Sequence, residues 1–166
     1  MDSRRIKQLI SKSFEVILFS LKKKFPDKNN FSASITIRFN DKKESKKLNN
    51  IYRKKNYPTN VLTFTYQGLP KIVSDIVICS PLVLIESELR QIKIEHHISH
   101  LIVHGILHSF GFTHQNKDQA KIMESLEIII LRRFGISNPY MNKRFFKYKL
   151  KKMWQNKDPY ITHANA

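Results

Sequence analysis

The chain has 166 residues, of which 41% are hydrophobic and 11% aromatic, so we expect one globular domain rather than a disordered chain. Thirty basic against thirteen acidic side chains give a formal net charge of +17, which favours polyanionic partners, although an AT-rich genome would produce the same excess of lysine. One cysteine excludes an internal disulfide, and no apolar run reaches the roughly 20 residues of a membrane-spanning helix. These features predict a soluble, cytoplasmic protein.

The first third of the chain alternates between helical and strand patterns. Apolar residues recur every three or four positions over residues 3 to about 24, which predicts an amphipathic helix. Strict alternation of apolar and polar residues over 31–40 predicts a half-buried strand with one polar face. Asp41 followed by Glu44 resembles a capping box, which predicts a short helix that ends near Tyr52.

Two more strands and a largely helical region follow. Residues 61–66 and 72–79 are predicted strands, and the segment 67–70 between them has the composition of a turn. A helical stretch, in one or two pieces, is predicted to end at Gly111, and a last helix is predicted to end at Gly135. This mixed order of elements indicates an α+β fold.

The composition changes after residue 136. Residues 139–166 carry seven basic side chains against Asp158 alone, and aromatic side chains are interleaved with them. Cations between aromatic rings suit contact with RNA, and a solvated extension without a binding role fits the same pattern equally well. We therefore expect a folded domain over residues 1–136 and a basic, aromatic-containing C-terminal tail over residues 137–166.

Three histidines, His104, His108 and His114, form the strongest chemical signal in the sequence. The first two are four residues apart on a helix and therefore share one face, and Gly111 allows the chain to turn so that the third approaches the same point. Three imidazole ligands leave a fourth position on a zinc ion for water, which is typical of a catalytic site. Zinc lowers the pKa of such a water to about 7 and so creates a nucleophile at neutral pH.

Three other histidines lie just upstream and are not expected to join this ligand set. Each four-residue step drifts by about 40° around a helix, so His96 is about 120° from His108. We therefore expect structural or solvated roles for His96, His97 and His100.

The spacing of the three candidate ligands also matches the metalloprotease pattern H-E-x-x-H-x-x-G-x-x-H. A peptidase of that class uses the Glu after the first histidine as its general base, and Gly105 stands at that position in this chain. A zinc peptidase is therefore the least favoured of the alternatives.

The segment from His104 to His114 resembles the signature H-G-x-L-H-x-x-G-[YF]-x-H of the YbeY family of bacterial zinc-dependent endoribonucleases. Three further blocks are similar to that family and follow in its order. They are LNNIYRKKNYPTNVLTF at 48–64, DIVIC at 75–79 and MESLE at 123–127. The resemblance implies an α+β domain in which helices flank a small mixed sheet, with the metal at one end of a cleft.

The same resemblance implies a metal-dependent RNase that cleaves single-stranded RNA, matures the 3′ end of 16S rRNA and acts in ribosome quality control. The three histidines of the signature would hold one zinc ion. Arg53 would clamp the phosphate of the substrate, Lys55 would add positive charge, and Asp75 would be the family's acidic residue on a neighbouring strand. A solvated or structural role for each of these three residues remains open. The implied partners are ribosomal RNA and ribosomal particles, with neither a membrane nor DNA.

The chain departs from the family pattern at three positions. Thr113 stands where the family usually has Asp, Ser109 where it has Leu, and Ser74 where it has Gly. Loss of the Asp removes a possible partner of the ligands, and such partners change metal affinity about 10–100-fold. A non-catalytic RNA- or ribosome-binding protein with a structural metal site therefore stays open as the alternative, because intact ligands do not ensure turnover.

Overall fold

The computed structural model of the protein describes residues 2–21 and 31–141. These ranges contain five helices and three strands. In chain order they are α1 (Ser3–Leu21), β1 (Ser32–Asn40), α2 (Lys42–Arg53), β2 (Val61–Gln67), β3 (Lys71–Cys79), α3 (Ser80–Arg90), α4 (Ile94–Ser109) and α5 (Lys117–Arg132). All the elements predicted from the sequence are present, and the helical stretch before Gly111 consists of two helices. No helix in the described ranges is both long and apolar enough to cross a membrane.

The three strands form one mixed sheet in the order β1-β3-β2. Strand β3 lies in the middle, parallel to β1 and antiparallel to β2, so β1 and β2 are the two edges. Ile72, Ile76 and Ile78 of β3 are buried in the core on the face that the helices cover. The prediction of an α+β domain with a small mixed sheet is confirmed.

The alternation predicted for β1 fails at the end of the strand. Ile35 and Ile37 are half-buried and Thr36 is exposed, as expected. However, Phe39 is 46% exposed whereas Asn40 is only 9% exposed, so the prediction for these two residues is wrong. Asn40 is followed directly by Asp41, the N-cap residue of α2, so the alternation of buried and exposed side chains ends there.

Helix α4 lies at the centre of the fold and packs against α1, α3, α5, β2 and β3. It comes close to the sheet at Gly105, where an added Cβ would lie 2.8 Å from Cδ1 of Ile76. Because only glycine fits this contact without displacing Ile76, the close packing sets the height of α4 above the sheet. The same helix carries His104 and His108 toward the side of β2.

The turn predicted at the end of α4 is confirmed. Gly111 has a φ of 86°, and its N–H donates to the carbonyl oxygen of His108 at 2.9 Å. The N–H of Phe112 donates to the carbonyl oxygen of Leu107 at 3.0 Å, which completes a Schellman-type helix end. This reversal returns the chain, and with it His114, toward the last turn of the helix.

The predicted C-terminal tail of residues 137–166 lies largely outside the described residues, which end at 141. Within the described part, Pro139 and Tyr140 line the cleft described below, where the carbonyl oxygen of Pro139 accepts from Arg90 of α3 and the hydroxyl of Tyr140 donates to Glu127 of α5. The division of the chain at residues 136 and 137 stays a prediction.

Candidate functional site

A cleft of about 740 Å³ lies between the sheet edge, α4 and α5. One wall is β2, which contributes Thr63 and Thr65, and the opposite wall is the side of α4 that carries histidines. Arg53, the last residue of α2, and Lys55 in the following loop also line the cleft. Two elements that are distant in sequence therefore bring basic side chains and histidines to one opening.

His104, His108 and His114 meet in this cleft, as their spacing predicts. One ring nitrogen from each lies within 4.8 Å of the others, and Nε2 of His104 is 3.0 Å from Nε2 of His108. Such a group could hold a metal ion. Among the described residues, no fourth His, Cys, Asp or Glu belongs to the group.

The partners of the other ring nitrogens orient the Nε2 atoms. Nδ1 of His108 donates to the carbonyl oxygen of Phe112 at 2.9 Å, and Nδ1 of His104 donates to Oε1 of Glu127 at 2.8 Å. Neutral rings bound in this way present their Nε2 lone pairs to each other, and two lone pairs at 3.0 Å repel unless a cation or a proton lies between them. Nitrogens that share a tetrahedral zinc ion with bonds near 2.0–2.1 Å lie about 3.3 Å apart. The donor set therefore fits one zinc-like ion.

The surroundings of His108 and His114 favour the neutral form of their rings. Burial, followed by the neighbouring His104 and His114, lowers the pKa of His108 to about 4. Burial and the charge of His104 also lower the pKa of His114, and the guanidinium of Arg53 acts in the same direction. A neutral imidazole is the form that binds metal, so His108 is in the ligand form at neutral pH.

Glu127 of α5 is a site residue that the sequence reasoning did not single out. Its buried carboxylate accepts from His104 at Oε1 and from Nε2 of His100 at Oε2, both at 2.8 Å, and the Tyr140 hydroxyl also donates to Oε2. Burial raises the pKa of Glu127, but the hydrogen bonds from the two histidines outweigh burial and leave that pKa lowered. The available signal was the similarity of the MESLE block to the family, which includes this Glu.

A second carboxylate and histidine pair lies deeper beside the cleft. Nε2 of His97 is 2.6 Å from Oε2 of Glu86, and Nδ2 of Asn60 donates to the same oxygen at 2.9 Å. His97, His100 and Glu86 are all buried. The hydrogen-bonded, interior positions of the two histidines agree with the structural roles expected for them.

Arg53 and Lys55 are brought to the histidines by an anchored loop. Asn49 of α2 donates from Nδ2 to the carbonyl oxygen of Tyr57 at 2.7 Å, which holds the loop against the helix. Lys54 adopts a left-handed conformation with a φ of 59° and ends α2 directly after Arg53. The structure therefore places both predicted basic residues at the cleft, and their catalytic roles stay predictions.

Asp75 lies on the opposite face of the sheet from the cleft. The neighbouring Ser74 points toward α4, where its Oγ is 2.7 Å from Oγ of Ser109, so strand alternation directs Asp75 to the other side. There its Oδ2 accepts from the hydroxyl of Tyr66 at 2.9 Å. Asp75 does not line the cleft in the described part of the chain, and its predicted catalytic role stays a prediction without support from this placement.

Two of the three departures from the family pattern contact each other. The hydroxyls of Ser74 and Ser109 form a buried pair, and each also lies within 3.0 Å of a main-chain carbonyl oxygen, that of Phe64 or of Gly105. The third, Thr113, donates from its hydroxyl to Oε1 of Gln119 at 2.8 Å, so its bond supports the loop before α5. None of the three removes a candidate ligand.

At the position where the zinc peptidases carry their general base, this protein has no room for a side chain. Gly105 faces the sheet, and a Cβ added there would come within 3.0 Å of three atoms of the Ile76 side chain. A glutamate at this position would clash with the core. The site therefore lacks the base that the peptidase hypothesis requires at position 105.

An open cleft that joins nearby basic side chains to three convergent imidazoles, which could hold a metal ion, suits a hydrolase that acts on an anionic substrate. The family model described as "Endoribonuclease YbeY" matches residues 1–135. The chain belongs to the YbeY family, which confirms the resemblance found in the sequence and supports an RNA-cleaving nuclease as its activity.

Two relatives with known names agree with this assignment. The Endoribonuclease YbeY of Burkholderia ambifaria is 40% identical over 137 residues, which are 81% of this chain and 72% of the relative. That of Coxiella burnetii is 46% identical over 118 residues, which are 69% of this chain and 76% of the relative. The solution structure of TM1509 from Thermotoga maritima aligns with 92% of this chain and 91% of its own, with 21% identity and a TM-score of 0.43.

Proposed function

We propose that this protein is a zinc-dependent endoribonuclease, specific for single strands, that acts in 16S rRNA 3′-end maturation and ribosome quality control. Its partners would be ribosomal RNA and ribosomal particles in the cytoplasm. The observation that carries the catalytic part is the placement of three convergent histidines and two basic side chains in one open cleft. Family membership supports RNA as the substrate.

His104, His108 and His114 would hold the zinc ion. A bound zinc ion supplies Lewis acidity toward water and phosphate oxygens. Closed structural zinc sites have four protein ligands, whereas the described part of this chain offers three at the edge of a cleft. This difference favours a catalytic function over the non-catalytic RNA-binding alternative.

Arg53 and Lys55 would bind the phosphate that is cleaved. Cleavage of a phosphodiester increases negative charge on the non-bridging oxygens, and a guanidinium can donate to two of these oxygens at once. Lys55 would add a second positive charge on the same wall. Glu127 would keep the ring of His104 fixed through its 2.8 Å hydrogen bond. Asp75 has no part in this proposal because it faces away from the cleft.

The C-terminal region would contribute in two ways. Tyr140, within the predicted tail, donates to Glu127 and so supports the site directly. Residues 142–166 lie outside the described part of the chain, and we propose an RNA-binding role for them from their basic and aromatic composition alone.

The test compares Arg53→Ala with Arg132→Ala, which removes an exposed arginine from α5 outside the cleft. We expect Arg53→Ala to lower the cleavage rate of single-stranded RNA about 100-fold or more without changing the zinc content, and Arg132→Ala to leave both unchanged. Equal cleavage by the two variants would contradict the phosphate-binding role of Arg53.

The wild-type protein separates the three alternatives in one set of assays. Zinc-dependent cleavage of single-stranded RNA that a chelator abolishes would support the proposal. RNA binding without cleavage would support the non-catalytic protein, and hydrolysis of an unfolded protein substrate would support the peptidase. Incubation with precursor ribosomal particles should shorten the 16S rRNA at its 3′ end, and an unchanged end would contradict that part of the proposal.

A further inference from the structure

The face of the sheet opposite the histidine cleft carries an exposed aromatic cluster. Phe64 of β2 pairs with Asp75 and lies on this face, and Tyr66, at an irregularity in the strand register, reaches the same face through its hydrogen bond to Asp75. Tyr52 from the end of α2 packs against Phe64 with ring centroids 4.8 Å apart. Tyr52 is 63% exposed and Tyr66 is 67% exposed. We call these three residues the aromatic platform.

The two tyrosine rings of the platform are exposed and also held in place, and Phe64 is half-buried beneath them. The Tyr66 hydroxyl donates to Oδ2 of Asp75 at 2.9 Å, and Tyr52 meets Phe64 in an edge-to-face contact with an interplanar angle of 66°. An aromatic ring that is already fixed loses little conformational entropy when a second planar group stacks on it. The platform is therefore suited to bind a planar ligand.

The charge around the platform favours an anionic ligand. Arg38 on β1 and Lys71 on β3 belong by register to the same face of the sheet, and Lys54 directly follows α2, two residues after Tyr52. All three basic side chains are exposed. Two acidic side chains lie beside these cations, since Glu44 pairs with Arg38 and Asp75 accepts from Tyr66, so Lys54 and Lys71 supply the remaining positive charge. Planar groups joined by an anionic backbone are the chemistry of a single-stranded nucleic acid.

The platform is continuous with the cleft through the edge strand β2. Thr63 and Thr65 line the cleft, whereas Phe64 and Tyr66 face the platform. The same change of side occurs at the end of α2, where Tyr52 belongs to the platform and the next residue lines the cleft. Only the thickness of β2 separates the two surfaces, so one extended polymer can contact both by crossing the edge of the sheet.

We propose that the aromatic platform binds unpaired nucleobases of the RNA substrate and guides the adjoining backbone over the edge of β2 into the cleft. Bases in a duplex are stacked on each other and cannot lie on Tyr52 or Tyr66. The platform would therefore be a source of the preference for single strands. This inference rests on the proposed function for its substrate, whereas the binding step requires neither the metal nor cleavage.

The experiment measures binding and cleavage separately with the full-length, metal-loaded protein. A labelled RNA of about 12 nucleotides is offered as a single strand and as a duplex, with 2-aminopurine at internal positions to report stacking. Binding is followed by anisotropy, and cleavage is followed on gels under single-turnover conditions. The variants are Tyr66→Ala, Tyr66→Phe and Tyr52→Ala, and the matched control is Phe19→Ala, which removes a 74% exposed ring from α1.

We expect Tyr66→Ala and Tyr52→Ala each to weaken single-strand binding about tenfold and to lose the 2-aminopurine quenching. Tyr66→Phe should retain most of the affinity because it retains the ring, and Phe19→Ala should match the wild type. Duplex binding should change little in any variant. Circular dichroism verifies that each variant is folded.

Two results would overturn the inference. One is unchanged single-strand affinity in the Tyr52 and Tyr66 alanine variants, which would point to a protein partner for this face. The other is an equal loss in Phe19→Ala, which would show that the effect is not local. A wild-type protein that binds single strands through the platform but does not cleave them would refute the proposed function and leave this inference standing.

Discussion

Helix α4 carries two kinds of histidine, and the ring nitrogen that each one uses separates them. His100 uses Nε2 to bind Glu127, so that nitrogen is not free for a metal. His104, one turn later, binds the same carboxylate through Nδ1 and directs its Nε2 into the cleft, 3.0 Å from Nε2 of His108. His100 and His104 are four residues apart and share Glu127 as a partner, so the ring nitrogen that each one uses decides which of them directs Nε2 into the cleft.

The largest expected effect comes from His104→Ala, which removes a proposed ligand from the cleft group. We expect loss of stoichiometric zinc binding and of RNA cleavage, with little change in the far-ultraviolet circular dichroism spectrum. Zinc content by atomic absorption is the measurement, and His96→Ala is the control on the same helix. Full zinc occupancy in His104→Ala would show that the cleft histidines do not form the site.

His97→Ala addresses the buried group and should act on stability instead. It leaves the buried Glu86 without its 2.6 Å partner, so we expect the free energy of unfolding to fall by about 3 kcal/mol. Zinc stoichiometry should be unchanged, and urea denaturation measures the stability. If His97→Ala instead lost zinc at wild-type stability, the distinction between the buried histidines of α4 and those of the cleft would be wrong.

Glu127→Gln changes the carboxylate that contacts both the buried His100 and His104 of the cleft. The amide keeps the shape of the carboxylate but cannot accept hydrogen bonds at both terminal atoms, so the ring of His104 is held less well. We expect zinc affinity to fall about 10–100-fold, measured by competition with a chelating dye. The variant Glu124→Gln on the same helix provides the control. Affinities equal to the wild type in Glu127→Gln would exclude this positioning role.

The smallest expected effect concerns the contact between α4 and β3. Ser74→Gly and Ser109→Leu each break the buried hydroxyl pair and should destabilise the protein by about 1 kcal/mol. The double variant restores the residues that the family usually has at both positions, so its loss should be smaller than the sum of the two single losses. Strict additivity in urea denaturation would show that the two serines are not coupled.

Most of the secondary structure and the candidate ligand set were predictable because their signals are local. Half of the capping box predicted at Asp41 is present, since Oδ1 of Asp41 accepts from the N–H of Glu44 at 2.7 Å, whereas the Glu44 carboxylate pairs with Arg38. The prediction that Gly111 reverses the chain required only the helix period and the conformational freedom of glycine. Both arguments use residues within a few positions of each other.

The remaining features depend on contacts between residues distant in sequence. The partnership of Ser74 with Ser109 spans 35 positions, and the sequence presents the two serines only as separate departures from the family pattern. The side of the sheet on which Asp75 lies follows from strand alternation once the position of the cleft is known, which the sequence does not give. The hydrogen bond from Tyr140 to Glu127 could not be predicted, because the segment that contains Tyr140 has the composition of a solvated tail.

The central claim is that three histidines hold one metal ion that keeps a position open to the cleft. Loading the protein with Co²⁺ and recording the visible absorption spectrum tests this claim most directly, because the intensity and shape of the bands report the geometry of the ion. We predict one Co²⁺ per chain with a tetrahedral-type spectrum that changes when inorganic phosphate is added and is lost in His114→Ala. A spectrum that phosphate does not change, or that persists in His114→Ala, would contradict the account.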